Sequence, residues 1–397
     1  MQFDVCLLRC EDYKPEMLDK ALEEAAELAG FPDVEGKTIL VKPNLLRGVA
    51  PEKAVTTHPV FLAAVLRLLN KRRPARVLVG DSPGWQKGSA AARSAGLLAA
   101  TQDGGAQWVD MDSGAMRAAP RGRLVKEFYL ASVLQECDLI VNLPKLKTHQ
   151  LMTYTGATKN LFGLIPGLGK SGMHLRFPNA ADFGTMLVDL SSCLPPVFTF
   201  MDSIVAMEGE GPGNGTPRHT GFLLASRNPA ALDWVAADCI GYDPQKIPYL
   251  VDAFTRSQTG NEATQVSAEA LSVGPLQVSD VCIEDFKLLP YATTAAQKGF
   301  SLNRAPAPLK RLANTLLVSR PIFHAEKCIG CSACVNICPA KALALGKDSQ
   351  GRHKVRIDDS VCITCYCCHE VCPASAISIG RVLHRRHEDS RKAERTQ

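Results

Sequence analysis

The sequence predicts an α/β protein, with a mostly parallel sheet flanked by helices and a small α+β domain at the carboxyl end. Short β-rich runs at residues 38–41, 76–80 and 139–142 alternate with amphipathic helical patterns. Such alternation is typical of parallel sheets whose faces are covered by helices. The small domain is predicted because nine of the 15 cysteines lie between Cys328 and Cys372.

The elements follow one another in a regular order. Residues 17–29 place apolar side chains on one helical face, and Gly30 ends that helix. A strand at 38–41 precedes a helix that starts near Pro59, a residue that suits the first helical turn. The pattern continues with a strand at 76–80, a helix at 88–100, strands near Trp108 and at 139–142, and a helix at 230–239.

The length of 397 residues predicts two or three domains, at roughly 100–200 residues each. We divide the chain into an α/β domain at 1–305, a linker at 306–321, a cysteine-rich domain at 322–380 and a basic tail at 381–397.

Composition excludes several classes of protein. With 46% hydrophobic residues the chain can bury a large core, so it is not a disordered protein. A net charge of +5 is too small to indicate a nucleic-acid partner. No run approaches the roughly 18 uncharged apolar residues of a membrane span. The first residues lack the basic and apolar regions of a signal peptide, so we expect a cytoplasmic location.

The cysteines form an internal repeat at an offset of 34 residues, CIGCSACVNICPAKAL from Cys328 and CITCYCCHEVCPASAI from Cys362. Each copy is C-x₂-C-x₂-C-x₃-C-P, the run that holds [4Fe-4S] clusters in bacterial ferredoxins. Zinc sites use paired C-x₂-C units instead, and the haem pattern at 365–369 lies inside the repeat. The domain at 322–380 is therefore predicted to be a two-cluster [4Fe-4S] ferredoxin domain.

In two-cluster ferredoxins the fourth cysteine of each run serves the other cluster. The sequence therefore predicts that Cys328, Cys331, Cys334 and Cys372 hold one cluster, and that Cys362, Cys365, Cys368 and Cys338 hold the other. Cys367 has no counterpart in the first run, and we interpret it as a bystander.

Polar residues recur just after the predicted strands: Lys42, Asn44, Asp81, Ser82, Asn142, Lys145, Lys147 and His149. In open α/β sheets, ligands bind beyond the carboxyl ends of the strands, so these residues predict one site built from several loops. The alternative is that loops after strands are polar because they face solvent.

Two glycine-rich stretches follow. Residues 153–178 lack the spacing of a phosphate-binding P-loop, because Leu164 stands where its first glycine belongs. Lys159 and Lys170 could still surround an anion there, and a flexible solvated loop is the alternative. The many glycines among residues 202–218 predict unusual backbone angles or a close approach to a ligand.

The front 300 residues resemble the uncharacterised iron–sulfur-centre family known as domain of unknown function 362. The resemblance lies in the stretches VKPNLL (41–46), VGDSPG (79–84), VNLPKLKTH (141–149), TGATKNLFG (155–163), DSIVAMEGEGPGNGTPR (202–218) and ALDWVAADCIGYDP (231–244). It implies an N-terminal domain followed by a double-cluster ferredoxin, and little about chemistry.

The first functional hypothesis is a ferredoxin-coupled redox enzyme, and whether the protein is catalytic stays open. Two clusters would exchange electrons, under anaerobic conditions, with an anionic small molecule or cofactor in the α/β cleft, and a redox partner protein would supply or accept them. His149 is the expected proton donor because histidine titrates near neutrality, and Lys145 and Lys147 would act with it. The expected binding residues are Lys42, Asn44, Asp81, Asn142, Lys159, Asn160, Asp202 and Arg218.

Two alternatives stay open. In one, the protein is a non-catalytic electron carrier whose α/β part docks a partner. In the other, it delivers clusters or cofactors.

Overall fold

The structure is a computed structural model that describes residues 2–258, 271–289 and 319–380. Its strands are β1 (Val5–Arg9), β2 (Thr38–Pro43), β3 (Arg76–Val79), β4 (Gln107–Trp108), β5 (Gly114–Ala118), β6 (Glu127–Ala131), β7 (Leu139–Leu143), β8 (Lys145–His149), β9 (Thr153–Thr155), β10 (Val197–Glu208), β11 (Thr216–Ser226), β12 (Val273–Pro275), β13 (Arg320–Phe323), β14 (Leu343–Lys347), β15 (His353–Ile357) and β16 (Ile377–Gly380).

Its helices are α1 (Pro15–Leu28), α2 (Pro59–Asn70), α3 (Gly88–Ser94), α4 (Leu97–Asp103), α5 (Ala157–Asn160), α6 (Gly169–Arg176), α7 (Ala180–Ser191), α8 (Pro229–Cys239), α9 (Pro248–Gln258), α10 (Ala333–Ile337) and α11 (Cys367–Val371). None of the described helices is long and apolar enough to cross a membrane.

One large mixed sheet forms the centre of the α/β part. Its strand order is β12-β1-β11-β10-β7-β2-β3-β4, with β8 paired to β10 and β9 paired to β8. The run β10-β7-β2-β3-β4 is parallel, whereas β11 is antiparallel to both β10 and β1. The predicted fold class, a mostly parallel sheet flanked by helices, is confirmed.

The sheet is buried on both faces. Along β2, Ile39 and Val41 pack against α1 and α2, while Leu40 between them faces the opposite core with Phe183. Both faces of a parallel strand are apolar because crossover helices cover both sides of the sheet. Each such side chain contributes about 1.5–3 kcal/mol when fully buried, so this packing holds the sheet between its two layers of helices.

Several predicted elements differ in detail. The helix predicted at 88–100 is two helices, because Gly96 between them adopts a left-handed φ of 75°. Residues 153–178 are mostly ordered as β9, α5 and α6. Most of the glycine-rich stretch 202–218 lies in the long hairpin β10–β11, whose turn carries the glycines.

The cysteine-rich part repeats its backbone as well as its sequence. Positive φ angles occur at Gly330, Ser332 and Lys341, and again at Thr364, Tyr366 and Ser375. The fourth cysteine of each run follows its short helix and accepts a hydrogen bond at Sγ from a backbone N–H four residues on, at 3.3 Å in both copies. The two runs therefore form two equivalent loops, closed by the antiparallel pairs β13–β16 and β14–β15.

The predicted domain limits are only partly visible. Strand β13 begins at Arg320, inside the stretch predicted as a linker, because it pairs with β16. Residues 306–318 of that linker and the basic tail at 381–397 lie outside the described residues, as do 259–270 and 290–305 of the α/β part.

Candidate functional site

The eight cysteines of the two runs surround two separate cavities. Cys328, Cys331, Cys334 and Cys372 line the first cysteine cavity, and Cys338, Cys362, Cys365 and Cys368 line the second. Each cavity thus takes three thiols from one run and the fourth from the other. Burial and the neighbouring thiols raise the pKa of Cys334 to about 11, so ligation there would release a proton.

The donor sets suit clusters and not single ions. Within the described ranges, no three His, Cys, Asp or Glu side chains come close enough together to hold one metal ion. Four thiols spread around a cavity instead match a [4Fe-4S] cluster, in which each iron takes one thiolate.

A third cavity, of about 100 Å³, lies between the α/β part and the ferredoxin-like part. We call it the lysine cavity. Its polar lining comprises Asn44, Asp81, Ser82, Lys147, His149, Lys159, Asn160, Lys170 and His174 from the α/β part, with Cys367 and Glu370 from α11. It thus brings together six of the predicted site residues.

The sheet explains this convergence. Strands β2, β3 and β7 run parallel, so their carboxyl ends meet at one edge, and Lys42 lies opposite Asn142 in the register. After Pro144, β8 leaves β7 for β10 and carries Lys147 and His149 past that edge.

Two of the predicted lysines are neutralised inside the protein. Lys42 Nζ lies 2.8 Å from Asp81 Oδ1, and Lys145 Nζ lies 2.9 Å from Asp202 Oδ2. Tyr13 completes the second pair, since its hydroxyl accepts from Lys145 at 2.8 Å and donates to Asp202 at 2.7 Å. Lys145 and Asp202 do not line the lysine cavity, so the structure does not place them where a ligand could reach them.

Three other lysines have no carboxylate partner among the described residues. Lys147 Nζ donates to Asn44 Oδ1 at 2.7 Å and to the Val55 carbonyl at 2.8 Å. Lys170 Nζ donates to Ser82 Oγ at 3.0 Å and to the Ile165 carbonyl at 2.7 Å. Lys159 Nζ lies 5.6 Å from the Phe162 ring centroid. These side chains are the cationic wall of the lysine cavity.

Burial dominates the titration of these lysines. It lowers the pKa of Lys147 to about 7, with a further contribution from Lys159, and it lowers the pKa of Lys170 to about 7 despite Asp81 nearby. Burial also lowers the pKa of Lys159, although Glu370 opposes it. A bound anion would restore the charged form of each ammonium group.

His149 holds a defined tautomer. Its Nδ1 accepts from the backbone N–H groups of Leu151 at 3.1 Å and Met152 at 3.2 Å, which leaves the proton on Nε2. Nε2 lies 3.2 Å from Glu370 Oε1. Burial lowers the pKa of His149 to about 4, so the expectation of a pKa near neutrality is wrong: the ring is neutral at pH 7.

Glu370 is the carboxylate opposite these cations. Burial alone would raise the pKa of Glu370, but His149 and Lys159 bring it well below its usual range. Within the described structure His174 Nδ1 is buried without a hydrogen bond, and His149 Nε2 and Glu370 Oε1, which are also buried, have no hydrogen-bond partner beyond their own 3.2 Å ion-pair contact. Buried polar atoms normally have partners, so their presence around one cavity indicates room for a polar ligand or ordered water.

The predicted asparagines divide into two groups. Asn44 and Asn160 line the lysine cavity, whereas Asn142 lies behind it and accepts from Asn160 Nδ2 at 2.8 Å. Arg218 lies elsewhere, because it faces outward from β11 and pairs with the exposed Asp285 at 2.5 Å. Arg218 therefore does not contribute to the cavity.

Arg47 joins the two parts of the molecule. Its buried guanidinium donates to the carbonyls of Cys372 and Gly213 and to Asn214 Oδ1. Asn214 Nδ2 in turn donates to the His369 carbonyl at 3.0 Å. These contacts seat α11 on the β10–β11 turn and so form one wall of the lysine cavity.

Sequence reasoning missed His174, Tyr13 and Glu370. A signal for Glu370 exists in the repeat itself, because three of the positions at which the two cysteine runs differ lie at or near Glu370. Ala333, Val335 and Asn336 of the first run correspond to Cys367, His369 and Glu370 of the second. The second run therefore carries polar residues that cluster ligation does not require.

Comparisons with known proteins cover both parts of the chain. Residues 39–238 match the family described as domain of unknown function (DUF362), and residues 327–376 match the 4Fe-4S dicluster domain. A thylakoid-associated protein of Synechocystis sp. is 35% identical over 248 residues, which are 62% of this chain and 76% of that protein.

Two solved structures match part of the chain. One is a Thermotoga maritima protein, with a TM-score of 0.35 and 14% identity, and the match covers 53% of this chain and 55% of that one. The other is the lactate racemase apoprotein of Thermoanaerobacterium thermosaccharolyticum, with a TM-score of 0.37 and 16% identity. That match covers 59% of this chain and 56% of the other, so the chain spans little more than half of either structure.

Proposed function

Since this chain belongs to the DUF362 family and carries a 4Fe-4S dicluster domain, it is an iron–sulfur protein with an electron-transfer role, and we propose that it exchanges electrons with a small anion held in the lysine cavity. The predicted family and the predicted dicluster domain are both confirmed. The anion, the residues that bind it and any catalysis are parts of the proposal.

One observation carries it: the lysine cavity and the second cysteine cavity share a wall. Cys367 borders both cavities, and Glu370 and Val371 of the same helix face the lysine cavity. A molecule bound beside Lys147 and Lys170 would therefore lie next to the chain segment that encloses the second cysteine site.

The proposal assigns one cluster to each cysteine cavity, with the crossed ligand sets that line them. When bound, each cluster supplies or accepts one electron at a time. The remaining chemistry belongs to the side chains of the α/β part.

Lys147, Lys159 and Lys170 would bind the anion. Among the described residues that line the cavity, these three lysines outnumber the carboxylates without a lysine partner, since Glu370 is one such carboxylate and Asp81 is paired with Lys42. Three ammonium groups around about 100 Å³ favour a compact carboxylate or phosphate, because a multiply charged anion can contact several of them at once.

His149 would hold a proton at Nε2 and present it to the ligand as a neutral imidazole. Its backbone-bonded Nδ1 prevents the ring from turning, so the donor atom stays aimed between the cavity and Glu370.

The proposal includes a cytoplasmic location, because none of the 15 cysteines forms a disulfide and reduced thiols suit a reducing compartment.

The test is anion binding with a spectroscopic readout. Anaerobically reconstituted protein is titrated with phosphate and with small mono- and dicarboxylates by calorimetry, and the electron paramagnetic resonance of the reduced clusters is recorded at each step. We expect one site per chain and a changed cluster signal on binding. Lys147→Met with Lys170→Met should abolish binding, whereas Lys71→Met, at the opposite edge of the sheet, should not.

Equal anion binding by the double variant would place the site elsewhere. Binding without any change in the cluster spectra or potentials would instead favour the non-catalytic electron carrier.

A further inference from the structure

The two cysteine loops have the same backbone but different surroundings. Ile329 and Cys331 of the first run are exposed, Ile329 to 63%. Their repeat equivalents, Ile363 and Cys365, pack against Ile337 and Val371. The first cysteine loop is thus the more exposed of the two, while the second borders the α/β part through Cys367, which also lines the lysine cavity, and Tyr366, which packs against the α/β core.

The exposed loop lies beside a basic hairpin. The hairpin β14–β15 itself carries four basic residues and one acidic residue, Asp348, and the two acids that follow it are Asp358 and Asp359, of which Asp359 is paired with Arg320. Asp348 is paired with Arg352 at 2.8 Å, within its own turn. Lys354 lines the first cysteine cavity together with Cys328 and Cys331, and the His353 ring lies against Gly330 of the cysteine loop.

The hairpin presents its charges outward. Leu345 and Val355 face inward as a cross-strand pair, so the alternating positions turn the other way. Lys354 and Arg356 occupy those outward positions, opposite Gly346 and Ala344. Small residues opposite them leave both cationic groups accessible, and both residues are exposed.

We propose that this surface, formed by Lys327, Ile329, Cys331, Lys354 and Arg356, docks an acidic one-electron carrier protein. Positive charge around an exposed apolar contact suits a partner with carboxylates around its own redox centre. Docking places that centre beside the first cysteine cavity. Cys328, Cys331, Cys334 and Cys372 would hold there a group that could take one electron from the partner's reduced centre or give one to its oxidised centre.

This inference rests on the electron-transfer part of the proposed function and not on the lysine cavity. An acidic protein is favoured over an anionic membrane because the charges surround a loop that carries an exposed cluster cysteine. A membrane contact would not need an exposed cysteine of the cluster set, such as Cys331, beside these charges.

The test measures binding between the reconstituted full chain and a purified acidic [2Fe-2S] ferredoxin. In the unaltered protein we expect affinity to fall steeply as salt rises, because the contact is between exposed charges. Lys354→Glu with Arg356→Glu should weaken binding roughly tenfold, because the two attractive charge pairs at the contact become repulsive.

A matched control is Lys37→Glu with Lys71→Glu, which makes the same change in net charge where the parallel strands begin, away from the clusters. It should keep the affinity of the parent. Iron content per chain should be equal in all variants. If Lys354→Glu with Arg356→Glu lowers the iron content, the milder Lys354→Gln with Arg356→Gln replaces it in the binding measurement.

Three results would overturn the proposal. The first is that the reversal variant and the parent bind the acidic ferredoxin equally well. The second is that the parent binds the basic carrier cytochrome c as tightly as it binds the acidic ferredoxin. The third is that the reversal weakens binding to phosphatidylglycerol vesicles and leaves binding to the ferredoxin unchanged. None of them would alter anion binding at Lys147 and Lys170, so failure here is distinct from failure of the lysine cavity.

Discussion

At the scale of single residues, the lysines of the site differ in their partners. Lys42 lies beside Asp81, and Lys145 lies beside Asp202. Burial lowers the pKa of each lysine, and the neighbouring carboxylate opposes that shift. Within the described part of the chain, Lys147 and Lys170 donate hydrogen bonds to neutral oxygens and to no carboxylate. A buried ammonium group without a counter-charge is costly, so these two residues favour an anion over an empty cavity.

Anion affinity should therefore depend on pH. In the empty cavity the pKa values of Lys147 and Lys170 are about 7, and a bound anion raises them. Binding should be strongest below pH 7 and should weaken as pH rises from about 7 to the higher pKa values of the bound state. Over that pH range, anion binding should be accompanied by proton uptake. Calorimetry in buffers of different ionisation enthalpy measures that uptake. Affinity that rises with pH would contradict this assignment.

The same residues should lower the stability of the empty protein. Moving the pKa of a lysine from its ordinary value to about 7 costs several kcal/mol at pH 7, partly offset by its two hydrogen bonds. Lys147→Met should therefore raise the free energy of unfolding by about 2 kcal/mol while it weakens anion binding. Denaturant unfolding followed by the fluorescence of Trp108 and Trp234 measures it, with Lys71→Met as control. A destabilised Lys147→Met protein would show that the ammonium is structural.

At the scale of elements, the two cysteine runs depend on each other. Cys338 follows α10 yet lines the second cavity, and Cys372 follows α11 yet lines the first. Each loop therefore needs the other run to complete its thiol set. This arrangement joins the folding of the two halves to the binding of metal.

Reconstituted protein should contain about eight irons and eight sulfides per chain. Cys338→Ala should damage mainly the cluster of the second run, and Cys372→Ala that of the first, because each change removes a thiol from the opposite site. Iron analysis and electron paramagnetic resonance of each variant distinguish the two clusters, and Cys282→Ala, an exposed cysteine of the α/β part, is the control. Loss of the local cluster in each variant would refute the crossing.

At the scale of the whole molecule, the lysine cavity exists only where the two parts meet. Lys147 and His149 come from the sheet, and Cys367 and Glu370 come from α11. Arg47 holds these surfaces together through carbonyls on both sides.

Arg47→Met should loosen this contact and leave both cysteine loops intact. We expect anion affinity to fall about tenfold. The variant loses several hydrogen bonds to a charged group, each worth roughly 1.5–3 kcal/mol, and part of this lost free energy should appear as weaker anion binding. Small-angle scattering should show a larger radius of gyration, with unchanged iron content. Arg93→Met, on the exposed side of α3, is the control. Unchanged affinity and size would mean that other contacts fix the interface.

The sequence by itself determined the α/β class, the dicluster domain and the family. Strand alternation and cysteine spacing are properties of neighbouring residues, and cluster ligation requires a fixed spacing along the chain, so these features can be recognised locally. The polar residues after the strands also predicted the edge of the sheet at which the cavity lies.

Only the tertiary structure decided which charges stay unpaired. Lys145 forms an ion pair with Asp202, 57 positions away, and Glu370 reaches His149 from the far end of the chain. Ion pairing and desolvation depend on distances in space and on burial, and neither is encoded in the local pattern. For this reason the sequence could propose a group of lysines, and only the fold could show that Lys147, Lys159 and Lys170 face the cavity without carboxylate partners in the described structure.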